Sequence, residues 1–440
     1  MFSSLILISS IVILYRLFLL GESYENKVVI FIFTIFYLIF FVSSYLFNAV
    51  FNLDYFILTE NISINSNWNI YSTFTIIISF YALFCLGNLI TNYAIKQTKV
   101  TCELKFFNPE KTNTYFSLLI LAISILLFFI LFSYYFENLI IVTKSYHDNV
   151  RNNFGQFVFL KELILLFLSL LILIKKSFLK CKILAFLIFV TWISFLTSDK
   201  DPLLFVLIFF YYYAFIEKKI NPSALNLLFF FLVICLILLF FLPFFSSFRA
   251  DMSFKNAYYN AVNKIKSFDD PGSGLSIICL LLNDSIQLNP YNYFYNFLSF
   301  LPEYARINSD YGVDFAKNIL KASYVKGFGF SFNLLAEAII YLKKYGIIYY
   351  SIFVLFVGFF FSLSNYFLIK LFPSKYKKFI LIYIATVLSF LVVRSTSAGI
   401  YQFIGRFVII FFIMLILCTI LSKTVKILVK KNFLVNFFKV

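Results

Sequence analysis

Charge is scarce in this chain: Asp, Glu, Lys and Arg together supply 13% of 440 residues, against 62% hydrophobic residues. A soluble domain could not hide so much apolar surface, so composition places the chain among polytopic membrane proteins. Histidine is scarcer still. His147 is the single one, which leaves no histidine cluster for a metal. It stands among Lys144, Tyr146 and Asp148, where it reads either as a solvated side chain or as a base. The six cysteines (Cys85, Cys102, Cys181, Cys235, Cys279 and Cys418) are scattered with no paired spacing, so they indicate neither zinc nor a disulfide framework. Only 12 Gly and 2 Trp accompany 65 Phe, a bias that points to an AT-rich genome and inflates Lys. The net charge of +17 is therefore a weaker guide than where the charges fall. Internal duplication, low-complexity linkers and a second soluble domain are also missing, so residues 1–440 read as one integral membrane domain.

What the chain does have is a series of apolar runs and a mean hydropathy of +0.93. A helix needs about 20 apolar residues to cross a hydrocarbon core of roughly 30 Å. Runs of that kind predict an all-α polytopic membrane protein with about eleven transmembrane helices. They lie near 3–20, 28–50, 73–95, 115–135, 157–174, 181–198, 202–216, 224–245, 346–369, 378–394 and 402–422. The first run resembles a signal peptide but lacks a basic start and a small-residue cleavage site, so it is read as a helix.

Lysines divide the connections into two sets. Lys96, Lys99, Lys105 and Lys111 mark one loop, and Lys175, Lys176, Lys180 and Lys182 another; Lys218 with Lys219, Lys370 with Lys375, Lys377 and Lys378, and the tail from Lys423 to Lys431 follow the same alternation. By the positive-inside rule these are cytoplasmic. Counting back through the spans puts the N-terminus, residues 51–72, residues 137–156 and the long polar segment 246–331 on the outer face.

That segment is the one large extracytoplasmic loop. Pro271-Gly-Ser-Gly274 and Asn289-Pro290 punctuate stretches such as 257–265 that can form short surface helices. Tyr291, Tyr293, Phe294, Tyr295 and Phe297 give it an aromatic belt suited to interfacial anchoring or to sugar stacking.

Arginine carries the sharper signal, because this composition spends its positive charge mainly as Lys. Arg151, Arg249, Arg306, Arg394 and Arg406 all fall on or near the outer side, and Arg16 alone lies toward the cytoplasm. A planar, permanently charged fork binds phosphate in bidentate fashion, so outer arginines are expected if the ligand carries a pyrophosphate. The alternative is pairing with local acids: Arg249 with Asp251, Arg306 with Glu303 and Arg151 with Asp148. Gln402 and Arg406 stand four apart, so one helical face presents both to a membrane-level cavity, unless Arg406 snorkels to headgroups.

Gly327-Phe-Gly329-Phe-Ser331 reads as a turn feeding a helix that Ser331 caps, with backbone N–H groups able to hold an anion. Glu337 then lies inside an apolar run, with Asn333 and Tyr341 on the same stripe. Burying an unpaired carboxylate is costly, so Glu337 is expected to meet a cation or to serve as a base. Asp199 and Asp201 flank Lys200 in a tight turn that reads as solvated or as a metal-ligand pair. Asp54 and Glu60 are not adjacent, which weakens a metal-dependent reading.

These residues resemble a family. A long outer loop closing with Gly327-Phe-Gly-Phe-Ser331, then Ala336-Glu337, then Lys344-Tyr-Gly346 at the next span, is similar to the Wzy-type O-antigen and capsular repeat-unit polymerases. Arg151 and Arg249 also sit where that family tends to place arginines. The resemblance covers most of the chain in topology and about 25 residues in motif. It implies a GT-C-like helical glycosyltransferase of the bacterial inner membrane, active at the periplasmic face without metal or other cofactor. The growing glycan would pass from undecaprenyl pyrophosphate to a sugar hydroxyl of an incoming lipid-linked repeat unit. Partners implied are that lipid-linked oligosaccharide, the bilayer and a chain-length regulator, with no nucleic acid. Catalytic roles are carried over to Glu337, Arg249 and Arg151, and pyrophosphate binding to Arg306, Arg394, Arg406, Gly327, Gly329 and Ser331.

Two other readings stay open. The related O-antigen ligase uses a histidine in its large outer loop, and residues 246–331 contain none. A lipid-linked oligosaccharide flippase or other transporter would be expected to show mid-span charges and repeated halves.

Overall fold

A computed structural model of the chain describes residues 2–43, 55–59, 62–65, 70–98, 165–170, 179–197, 203–236, 277–282, 311–320, 332–371 and 376–409, with 122, 125, 126, 129, 172, 288 and 420. Among these the architecture is helical. Three helices are long and apolar enough to cross a membrane, over Tyr24–Phe41, Ser72–Gln97 and Ile347–Lys370. Leu5–Phe18, Lys182–Thr191, Leu204–Glu217 and Ala224–Leu236 are shorter apolar helices. This fits a helical membrane protein, with the expected runs near 28–50, 73–95 and 346–369 each overlapping a helix of spanning length.

The chain contacts group into two compact units. The first comprises Met1–Val100, Tyr213–Phe367 and Leu381–Ile404, and the second Thr101–Tyr212, Leu368–Ile380 and Gly405–Val440. The first unit begins with α1 (Phe2–Phe18) and α2 (Tyr24–Phe41), the latter capped by Ser23, whose side chain accepts from the Asn26 N–H. Helix α2 is buried on every face from Val28 to Ile39, as a helix apolar all round should be when neighbours surround it. Next comes a two-stranded antiparallel ribbon, β1 (Tyr55–Thr59) with β2 (Ile62–Asn65), pairing Tyr55 with Asn65 and Phe56 with Ile64. An all-α reading did not include this ribbon. Its Tyr-Phe-Ile-Leu-Thr run is rich in the aromatic and β-branched residues that favour strands, but is too short to show a period.

Helix α3 (Ile70–Thr98) runs antiparallel to α2, held by aromatic stacking and buried hydroxyls. Phe33 stacks on Phe84 with ring centroids 4.2 Å apart, and Tyr37 stacks on Phe80 at 6.1 Å. The Tyr37 hydroxyl donates to Ile77 O at 2.6 Å, and Thr34 Oγ1 shares a hydrogen bond of 2.8 Å with the Tyr81 hydroxyl. Each polar atom buried beside the rings thus has a partner, which offsets its desolvation.

Helix α4 (Leu179–Thr197) and α5 (Leu204–Tyr211) pack in the second unit, where Phe186 meets Phe209 at 5.0 Å and Phe209 meets Phe379 at 5.4 Å. A π-helical turn, Tyr212–Glu217, continues from α5, and the chain leaves it through Lys219 at φ 51°. Tyr24 donates its hydroxyl to Phe215 O (2.8 Å) and Ile220 O (3.0 Å), satisfying carbonyls that a helix end leaves open. Helix α6 (Ala224–Leu236) follows, and Phe31 of α2 packs against both Phe215 (4.9 Å) and Phe230 (5.5 Å).

Helices α7 (Tyr311–Leu320), α8 (Leu334–Tyr345), α9 (Ile347–Leu371), α10 (Lys377–Arg394) and α11, over 397–409, complete the described chain. Contacts give α9 the same direction as α3: Ser79 bonds Tyr350 at 3.0 Å, and Ser362 bonds Asn92 at 2.7 Å. Between these points Gly87 and Gly358 allow the two backbones to approach closely. At the far end of α3, Lys96 pairs with Glu22 at 3.5 Å, and near that end Tyr15 donates to Pro222 O. The loops after α1 and after the π turn therefore share the Lys96 end of the first unit. At the other end, Phe36 and Phe40 of α2 pack on Phe390, placing the close of α10 beside the start of α3.

Candidate functional site

Helix α8 starts where its sequence can satisfy a helix end. Asn333, extended at φ −93° and ψ 165°, accepts the Ala336 N–H on its side-chain oxygen at 2.7 Å. Asn333 is thus the cap where Ser331 was expected to be, because the chain turns helical only at Leu334 and a cap must sit directly before that residue. Lys343 and Lys344 occupy the last turn, complementing the helix dipole. Gly346, at φ 85°, donates its N–H to Leu342 O at 2.9 Å and breaks α8 from α9 in a conformation that L side chains rarely adopt.

Glu337 lies one turn into α8 with no exposed surface. Its Oε2 accepts the backbone N–H of Ser397 at 2.7 Å and its Oε1 accepts the Ser397 hydroxyl at 2.8 Å. Ser397 opens α11: α10 closes with the Ser395 N–H on Leu391 O, and Ile400 N–H returns to Thr396 O. The carboxylate therefore occupies the N-terminal end of a helix, where open N–H groups and the helix dipole favour negative charge. Burial raises the Glu337 pKa to about 7 against the two lowering hydrogen bonds from Ser397.

Aromatic rings enclose this clasp. Tyr341, one turn on from Glu337, stacks on Phe353 at 4.8 Å, and its hydroxyl hydrogen-bonds Tyr311. Burial first, and then the charge of Glu337, raise the Tyr341 pKa, with Tyr345 and Tyr401 adding in the same sense. Tyr311 stacks on Phe332 at 5.5 Å, and Tyr401 meets Phe360 edge-on at 5.3 Å. The expected stripe of Asn333, Glu337 and Tyr341 is present, and all three are buried.

Arg394 ends α10 three residues before Ser397, with its guanidinium 5.2 Å from the Phe390 ring centre. Gln402 and Arg406 both fall on α11, Gln402 partly buried and Arg406 exposed. The structure thus brings Glu337, Arg394 and Gln402 to one end of the first unit, the end away from Lys96. Arg151, Arg249, Arg306, Gly327, Gly329 and Ser331 lie outside the described residues, as do His147, Asp54, Glu60, Asp199, Asp201 and most of 246–331. Of that loop, 277–282 and Tyr311–Leu320 are helical.

Ser397, Tyr311 and Tyr401 were not singled out from sequence. For Ser397 a signal existed: Ser395-Thr396-Ser397 stands directly before an apolar helical run, the pattern of a helix start. Its partner is 60 residues away, beyond any local spacing.

A scan against protein-family models finds no match, and comparisons with characterised proteins and with solved structures likewise find none. The class defined by the fold is a helical protein of membrane character. One end of its first unit carries a buried acid clasped to a helix start beside an arginine.

Proposed function

We propose that the chain is an O-antigen or capsular polysaccharide polymerase of the bacterial inner membrane, a metal-independent glycosyltransferase of GT-C-like fold. It transfers the growing glycan from undecaprenyl pyrophosphate to a sugar hydroxyl of the incoming lipid-linked unit at the periplasmic face. The observation that carries this reading is the Glu337 clasp. The acid of the Gly-x-Gly-x-Ser…Ala-Glu segment is fully buried and bound to the turn that bears Arg394, at the end of the unit away from Lys96. The lysine alternation assigns the Lys96 end to the cytoplasm and this end to the periplasm, in an eleven-span topology.

The chemistry asks for cations to stabilise the departing pyrophosphate and for an oriented group at the acceptor hydroxyl. Arg249 and Arg151, with Arg306, Arg394 and Arg406, suit the first task, and the backbone of Gly327 to Ser331 can add N–H donors. Glu337 serves either the second task, as base, or the first, by positioning an arginine. Partners are the lipid-linked oligosaccharide, the bilayer and a chain-length regulator.

Deleting the gene and resolving surface glycan on a gel tests the reading. The expected result is loss of the long-chain ladder with a single repeat unit retained. Total loss of glycan on the lipid acceptor, with polymer accumulating on its carrier, would indicate the ligase. Lipid-linked units held at the cytoplasmic face would indicate a flippase.

A further inference from the structure

We propose that Glu337 and Ser397 form a positioning pair: Ser397 holds the carboxylate, and the held carboxylate fixes the turn that presents Arg394 and Gln402 to the pyrophosphate-linked donor. This deepens, and rests on, the polymerase reading. Glu337 then acts through the turn and does not itself take the acceptor proton.

Three features carry the inference. First, Glu337 has no exposed surface and both its oxygens already accept hydrogen bonds, one from a backbone N–H and one from a hydroxyl, at 2.7 and 2.8 Å. A proton acceptor needs an oxygen within hydrogen-bond reach of substrate. Second, both donors belong to one residue at the start of α11, so the carboxylate satisfies a helix end that would otherwise be open. Third, the turn has little slack. Ser395 and Thr396 alone separate Arg394 from Ser397, and a Cβ at Gly399 would collide with the Ser395 hydroxyl. Anchoring Ser397 therefore sets where α10 ends and where α11 begins. The packed rings of Phe332, Tyr341 and Phe353 hold α8, so the anchor is itself fixed.

The test uses the full-length chain in a deletion strain, with elongation of the strain's own lipid-linked repeat unit read as a glycan ladder in membrane vesicles. Ser397→Ala is expected to lower elongation about tenfold by removing one charge-assisted hydrogen bond. Ser397→Thr keeps the hydroxyl and should recover to within about threefold. Glu337→Ala should lose more than about tenfold, and Glu337→Gln, which keeps an accepting oxygen, should recover most of that loss and retain the wild-type pH profile. Should Glu337→Gln be as inactive as Glu337→Ala while Ser397→Ala elongates normally, Glu337 is the proton acceptor and the pair is refuted, with the polymerase reading intact. If Glu337→Ala does not accumulate in the membrane, Glu337→Gln against Ser397→Ala decides the matter alone. An undiminished ladder after deletion of the whole gene would instead remove the polymerase reading, and the pair's role with it.

Discussion

Gly87 on α3 and Gly358 on α9 each stand against the backbone of the opposite helix: a Cβ on Gly87 would meet Leu355 O, and one on Gly358 would meet Phe84 O. The contact is reciprocal, so these two helices cross where neither has a side chain. Thr91 lies beside the crossing, donating to Gly87 O at 2.8 Å and reaching Phe359 O at 3.4 Å, and Asn92 and Ser362 bond one turn further on. Small residues that admit close approach, with polar side chains bonding across it, are how helices associate where lipid removes the hydrophobic drive. Gly358→Ala is expected to cost about 1–3 kcal/mol, since backbone cannot move aside as a side chain can. Thermal unfolding of the detergent-solubilised protein measures it. Adding Gly87→Ala should cost less than a second full increment, because one separation of the helices relieves both clashes.

Burial of Glu337, which outweighs the two hydrogen bonds from Ser397, makes stability depend on pH. The folded pKa of about 7 lies above the ordinary 4.5, so the unfolded chain ionises first as pH rises. Between about 4.5 and 7 the folded state binds the extra proton, and stability therefore falls with rising pH across that window, by roughly 3 kcal/mol in all. Glu337→Gln has no proton to lose and should flatten that slope. Melting temperatures at pH 5 and pH 7 compare the two proteins; an equal slope in both would assign the titration to another group.

Arg249, which lies outside the described residues, tests the proposed chemistry independently of the clasp residues. Arg249→Ala should leave the protein inserted and at normal abundance while elongation drops at least about a hundredfold, as removal of an electrostatic stabiliser does. Arg249→Lys should recover little, because an ammonium cannot form the bidentate pair with phosphate. The glycan ladder reports both, and a normal ladder in Arg249→Ala would take this arginine out of the site.

The proposed sidedness, read from the lysine alternation, can be tested at two residues of this architecture. Lys344, exposed at the end of α8, and Lys96, at the end of α3, lie at opposite ends of the parallel pair α3 and α9. A membrane-impermeant maleimide should label Lys344→Cys from the periplasmic side and Lys96→Cys only after the membrane is opened. The reverse pattern would invert the proposed topology.

Several elements were legible because their signal is local. The apolar runs near 73–95 and 346–369 read as spans and form helices over Ile70–Thr98 and Ile347–Leu371, since hydropathy over about 20 residues needs no knowledge of neighbours. The break before α9 was legible for the same reason, at Gly346. The stripe of Asn333, Glu337 and Tyr341 followed from the helical period. The cap did not: Ser331 and Asn333 are both good capping residues, and only the backbone decided in favour of Asn333.

By itself, then, the sequence determined that this is a helical protein of membrane character and that an acid lies buried near the start of α8. Composition and period act residue by residue along the chain. Tertiary structure alone decided what that acid meets. Ser397 lies 60 positions from Glu337, and the parallel crossing of α3 and α9 joins residues about 270 apart. Neither pairing leaves a periodic trace, because each arises where two helix ends or two glycines come together in space.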